Sequence, residues 1–124
     1  PDRKPGVYAY VQVPADQPWP DGLTVLASVV EAEGTTLVVP EPEAERLGLP
    51  IHFRAAWIAL TIHSDLAACG LTAAVARVLA DAGIACNVIA GTCHDHLLVP
   101  VDRANDALEA LLALQSLSLI HISE

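Results

Sequence analysis

Positive charge is what this sequence has least of. Six Lys and Arg, among them a single lysine, stand against fifteen Asp and Glu, for a net charge of −9 over 124 residues. Arg3, Lys4, Arg46, Arg54, Arg77 and Arg103 are scattered along the chain, so they form no patch able to neutralise a run of phosphates. Nucleic acid and anionic membrane surfaces are therefore excluded as expected partners, and the acidity reads as a solvated surface. Long apolar runs are missing too. Hydrophobic residues make up 53% and the mean hydropathy is +0.46, yet Arg54, His63, Asp65, Arg77 and Asp81 break every stretch short of the roughly 20 residues that cross a bilayer.

Aromatic residues are scarce at 4%, and much of the apolar count is alanine. The three cysteines, Cys69, Cys86 and Cys93, form no C-x-x-C pair. Such a set excludes a disulfide framework and fits a reducing compartment, and no apolar leader opens the chain, so a cytoplasmic location is expected. There is no glycine-rich phosphate loop and no serine nucleophile elbow. The composition excludes a disordered chain, and the length suits one domain or two very small units sharing a core.

What is present is a succession of short elements. Residues 7–13 are rich in β-branched and aromatic side chains and stop at Pro14, as a strand does. Residues 14–22 hold Pro14, Pro18, Pro20 and Gly22 and read as a loop. Residues 23–31 and 35–39 read as two strands of a hairpin that turns at Glu31, Ala32, Glu33 and Gly34. A short helix follows over 41–47, with Pro42 in its first turn and Gly48 past its end.

The second half is patterned more strongly. Residues 53–62 form a largely apolar run without glycine or proline breakers, suited to a buried strand. Leu71, Ala74, Val75, Val78, Leu79 and Ala82 recur at spacings of three and four, which predicts a helix over 71–82 stopped by Gly83. Residues 84–90 and 97–101 read as strands separated by a connection over 91–96, and Asp102 as the cap of a helix over 103–114. Side by side, the halves give strand, loop, strand, strand, short helix, and then strand, helix, strand, strand, helix. We read a degenerate internal repeat with units at 1–50 and 51–115; the alternative is one α+β sandwich with an accidental likeness between its halves. Residues 116–124 alternate well enough for an edge strand but look more like a translated cloning adapter, and carry no functional weight.

The loop that leaves strand 53–62 is the leading candidate site. It feeds a helix N-terminus, where unpaired amide groups and the positive end of the macrodipole suit a small anion such as an amino-acid carboxylate. Gly70 would let a ligand approach the backbone, Asp65 or Ser64 would receive an ammonium group, and the strand carrying Asn87 would lie alongside. The plainer alternative is that Ser64 or Asp65 merely caps the helix.

The stretch from Leu60 to Ala90, with its glycine-led helix at Gly70 and its Gly83, Ile84 and Asn87, followed by His94, Asp95 and His96 and a final helix, resembles an ACT domain. With Glu31, Ala32, Glu33 and Gly34 ahead of it, the chain is similar over residues 29–112 to small bacterial proteins built from two ACT-like units. The resemblance implies an α+β, ferredoxin-like fold of two βαββα-type units, the N-terminal one degenerate. It also implies side-by-side association of sheets or a homodimer, regulatory binding of an amino acid, no catalysis and no cofactor. Carried over by position, the ligand loop is Ser64, Asp65, Ala68, Cys69, Gly70 and Leu71, and the facing strand is Asn87, Val88 and Ile89. Many ACT domains have an Asp-x-Pro-Gly turn here, whereas in this chain several residues separate Asp65 from Gly70 and none is proline. No enzyme or DNA-binding domain is attached, so a regulatory output would act on a separate protein.

Two rivals stay open. One is a ligand-free interaction module. The other is a small metal-binding or thiol-dependent protein using Cys93, His94 and His96, with His63 or Cys86 completing a metal set. Glu31 and Glu33 read as a solvated hairpin corner rather than an acid and base pair.

Overall fold

The computed structural model describes residues 1–62, 68–117 and 122–123. Its strands are β1 Asp2–Arg3, β2 Tyr8–Val13, β3 Ala27–Glu31, β4 Gly34–Pro40, β5 Phe53–Ile62, β6 Asn87–Ala90, β7 His94–Pro100 and β8 Ile122–Ser123, and its helices are α1 Glu41–Arg46, α2 Ala68–Asp81 and α3 Ala104–Leu117. They divide into two units, one of Gly6–Ala55 and one of Pro1–Pro5 with Ala56–Glu124. Among the described residues no helix is long and apolar enough to cross a membrane.

In the Gly6–Ala55 unit β4 lies between β3 and β2, and the first residues of β5 pair with β2 through Tyr8↔Ala55, Ala9↔Arg54 and Tyr10↔Phe53. The hairpin turns where predicted, with Glu31 opposite Gly34. Strand alternation puts Ala9, Val11 and Val13 of β2 and Leu37 and Val39 of β4 on one face, where Ala44 of α1 covers them. The helix ends as Gly48 predicts. Gly48 takes a φ of 68°, its N–H reaches Glu45 O, and Leu49 N–H reaches Ala44 O at 2.9 Å, a Schellman closure. The strand expected over 23–31 is shorter, beginning at Ala27. Thr24 is drawn toward α1 instead, its N–H and hydroxyl donating to the two carboxylate oxygens of Glu43 at 2.6 and 2.9 Å.

In the other unit β7 lies between β6 and β5, and the short β1 and β8 pair with β5. Ala56, Ile58 and Leu60 of β5 and Leu97 and Val99 of β7 form one face, packed against Val75 and Leu79 of α2 and Ala104, Ala107 and Leu111 of α3. Each fully buried leucine here contributes about 1.5–3 kcal/mol through removal from water. Helix α2 also closes with a Schellman motif, in which Gly83 at φ 73° donates to Ala80 O and Ile84 to Leu79 O, both at 2.9 Å. That closure holds Ile84 in the core as the helix stop, so the strand expected over 84–90 begins only at Asn87.

Two further differences concern the site. Helix α2 begins at Ala68 rather than at residue 71, one turn ahead of the apolar spacing from which the helix is predicted. Strand β7 begins at His94, so His94, Asp95 and His96 lie on the strand and not in the connection. Asp102 caps nothing: a 3-10 turn over Val101–Arg103 follows Pro100, and Arg103 bonds Asp106 at 3.0 Å and the carbonyl of Ala82 at 3.1 Å, at the C-terminal end of α2.

Candidate functional site

Of the nine residues singled out from sequence, Ser64 and Asp65 lie outside the described residues. Ala68, Cys69, Gly70 and Leu71 form the first turn of α2. Gly70 is exposed, with nothing within 4 Å of where a Cβ would stand. Its amide is one of those that a helix leaves without an internal partner. The first turn of α2 carries no acidic side chain, whereas α1 carries Glu41 and Glu43 there. The positive end of the α2 dipole is thus not neutralised by its own first turn.

Strand β6 divides the other three. Its register is Asn87↔Leu98, Val88↔Leu97 and Ile89↔His96. Leu97 faces the helices, so Val88 does as well, and alternation sends Asn87 and Ile89 to the opposite face. Val88 joins Leu60, Thr72, Val75, Asp95 and Leu97 around an apolar cleft beside α2 that has no space for a water molecule. Only the backbones of Asn87 and Ile89 accompany Val88 on this terminal strand of the sheet.

Asp95 is a residue that reading the sequence passed over. On β7 it pairs with Ala90 of β6 and lines the cleft beside Thr72 and Val88. Its carboxylate is half-buried, and among the described residues it has no ion-pair partner. The signal was available: counting back by two from buried Val99 and Leu97 reaches Asp95.

The opposite face holds the histidines. His94 and His96 sit two apart with ring centroids 6.2 Å from one another. Trp57 Nε1–H donates to His96 Nδ1 at 3.0 Å, and Thr61 Oγ1 and His94 Nδ1 share a hydrogen bond at 2.8 Å. An indole N–H can only donate, so His96 Nδ1 is an acceptor and the imidazole proton sits on Nε2. Burial, together with the charges of Lys4 and His94, lowers the His96 pKa from its ordinary value against the opposing pull of Asp95, which favours this neutral form. A nitrogen that carries a proton offers no lone pair to a metal. His96 in this arrangement is not a ligand, and among the described residues no three His, Cys, Asp or Glu side chains gather around a common point. Cys86 is half-buried beside the helical core and burial raises its thiol pKa, the reverse of activation. Cys93 is exposed in the connection between β6 and β7.

Models of the ACT domain match residues 1–56 and residues 53–113. Among solved structures, the chain is similar to a Vibrio cholerae protein of unknown function described as a possible transport protein, at 39% identity, with a TM-score of 0.80 over 89% of this chain and 84% of that one. It is also similar to an Agrobacterium tumefaciens protein, at 18% identity and a TM-score of 0.62 over 87% of this chain and 82% of that one. An aspartate kinase from Clostridium acetobutylicum shares the fold at 11% identity and a TM-score of 0.61, over 87% of this chain and 32% of the kinase. No curated protein matches the sequence. The fold is thus α+β and ferredoxin-like.

Proposed function

Because the chain belongs to the ACT-domain family, we propose that it is a non-enzymatic regulatory module that binds an amino acid or similar small zwitterion where β5 enters α2. ACT units are small-ligand-binding regulatory modules rather than catalytic ones. The observation that carries the reading is the pairing of opposite charges at one place: a helix N-terminus without acidic side chains in its first turn, and the half-buried carboxylate of Asp95 in the cleft beside that helix. The ligand carboxylate takes the amides of Ala68, Cys69, Gly70 and Leu71. Its ammonium group takes the exposed side of Asp95, the cleft itself being closed, with Ser64 and Asp65 as the further contacts expected from the family pattern. Val88 and the backbones of Asn87 and Ile89 border the site, and a second copy of the chain completes it there. The module acts in the cytoplasm as a homodimer and passes its signal to a separate effector protein.

A thermal-shift panel with the twenty amino acids tests this reading. A ligand at about 100 times its dissociation constant adds about 2.7 kcal/mol of stability, so one or a few related amino acids raise the midpoint and the rest do not. If millimolar concentrations of every amino acid leave the midpoint in place, the reading is wrong.

A further inference from the structure

The Gly6–Ala55 unit has a cavity of its own, of about 220 Å³, lined by Tyr10, Gln12, Thr36 and His52. It lies on the sheet face turned away from α1. Gln12 stands opposite Thr36, Thr36 opposite Val29, and Tyr10 opposite Phe53, and all of these alternate with the core residues Ala9, Val11, Leu37 and Val39. The Tyr10 ring lines the cavity and meets the ring of Phe53 edge to face at 5.6 Å. His52 is held beside them by its N–H bond to Tyr10 O at 2.8 Å. At the other end Gly34 makes room: a Cβ there would stand 3.2 Å from Gln12 Cγ and 2.7 Å from Val13 O.

Glu31 brings a negative charge to the edge of this hollow, next to its lining residue Thr36. By register, Glu31 is the formally charged strand residue on this face. Arg54, on the alternate face, is engaged by Glu41. Thr36 Oγ1 donates to Glu31 Oε1 at 3.0 Å. The threonine proton is thereby committed, which leaves its oxygen lone pairs and the second Glu31 oxygen as acceptors beside the Gln12 amide and the His52 imidazole, each of which can both donate and accept. The Tyr10 ring adds a face attractive to cations.

We propose that this hollow is a second ligand site, for a small organic cation with an apolar or aromatic body and one ammonium group. The ammonium takes the Thr36 oxygen and the second Glu31 oxygen together, and the body lies against Tyr10. A volume equal to about seven waters at about 30 Å³ each limits the ligand to about ten non-hydrogen atoms. A carboxylate in the same place meets Glu31, so amino acids are disfavoured here and the site is separate in chemistry from the α2 entry.

The test is amide NMR on the full chain, titrated with phenethylamine and, separately, with phenylacetate as an anion of similar shape. The inference requires saturable shifts at Tyr10, Gln12 and Thr36 with the amine and none with the anion. It also requires at least tenfold weaker amine binding in Glu31→Gln whose spectrum keeps its dispersion. Thr36→Val serves as the second variant if Glu31→Gln does not fold, and must weaken binding likewise. Equal responses to amine and anion, no response to either, or undiminished binding in the folded variants overturns it. An amino acid that shifts the α2 amides and leaves Tyr10, Gln12 and Thr36 in place bears on the other site alone.

Discussion

Trp57 and His96 are joined by a hydrogen bond of 3.0 Å from indole N–H to imidazole Nδ1, with the two rings edge to face at 5.4 Å. The Lys4 ammonium lies 5.0 Å from the centroid of the same indole. An imidazolium at His96 would lose the bond, turn a proton toward the indole N–H and add charge near Lys4.

Stability therefore depends on pH with a definite sign. His96 has a folded pKa below 6.5, so the unfolded chain binds this proton first, and stability rises with pH across that interval. The contribution is complete above 6.5 and is lost as pH falls through that value toward the folded one. Glu41 adds a second window. The hydrogen bond from Arg54 holds its carboxyl below 4.5, so its contribution is present above 4.5 and lost as pH falls further. Denaturant midpoints should be lower at about pH 5.5 than at about pH 7.5, and His96→Leu should shrink that difference. An unchanged difference in the variant would assign the dependence to other groups.

Gly91 is required by its neighbours. A Cβ there would stand 2.9 Å from His94 O and 3.3 Å from His96 Nε2, while Gly91 N–H donates to His94 O at 2.8 Å. Gly91→Ala should cost about 1–3 kcal/mol, as overpacking does, and should shift the His96 ring resonances. Urea unfolding read beside an imidazole spectrum checks both, and a variant of native stability with His96 unmoved would refute the close approach.

Helix α3 offers a paired comparison. Leu111 is 0% exposed and its neighbour Leu112 is 46% exposed. Leu111→Ala should lose about 2–5 kcal/mol, and Leu112→Ala should stay within about 0.5 kcal/mol of the parent. Similar losses at both positions would mean that the helix presents a different face to the core.

The parts of this fold legible in the sequence are those where local chemistry and burial agree. The breaker-free run became β5 over Phe53–Ile62, and the corner at Glu31 and Gly34 became the β3 to β4 hairpin. The two halves also share a detail that apolar spacing did not bring out. Leu37, Val38, Val39 and Pro40 end β4, as Leu97, Leu98, Val99 and Pro100 end β7, and each proline adopts nearly the same backbone before the following helical turn. The elements misjudged are those whose ends are set by particular hydrogen bonds rather than by apolar spacing. Thr24 is drawn to Glu43, Ile84 is held by Leu79 O in the closure of α2, and β7 extends back to His94 through its pairing with β6, where Ile89 stands opposite His96 and Gly91 N–H reaches His94 O. The candidate site was legible as a helix entry. Its acidic component on β7 was not, because His94, Asp95 and His96 read together as one polar cluster although their side chains alternate between faces.

The most direct measurement of the central proposal is an amide NMR titration of the whole chain with whichever amino acid raises its thermal midpoint, repeated on Asp95→Asn. Binding at the α2 entry predicts shifts at Cys69, Gly70, Leu71 and Val88, and at least tenfold weaker binding in the variant. Shifts confined to other residues, or an affinity indifferent to Asp95, would contradict it.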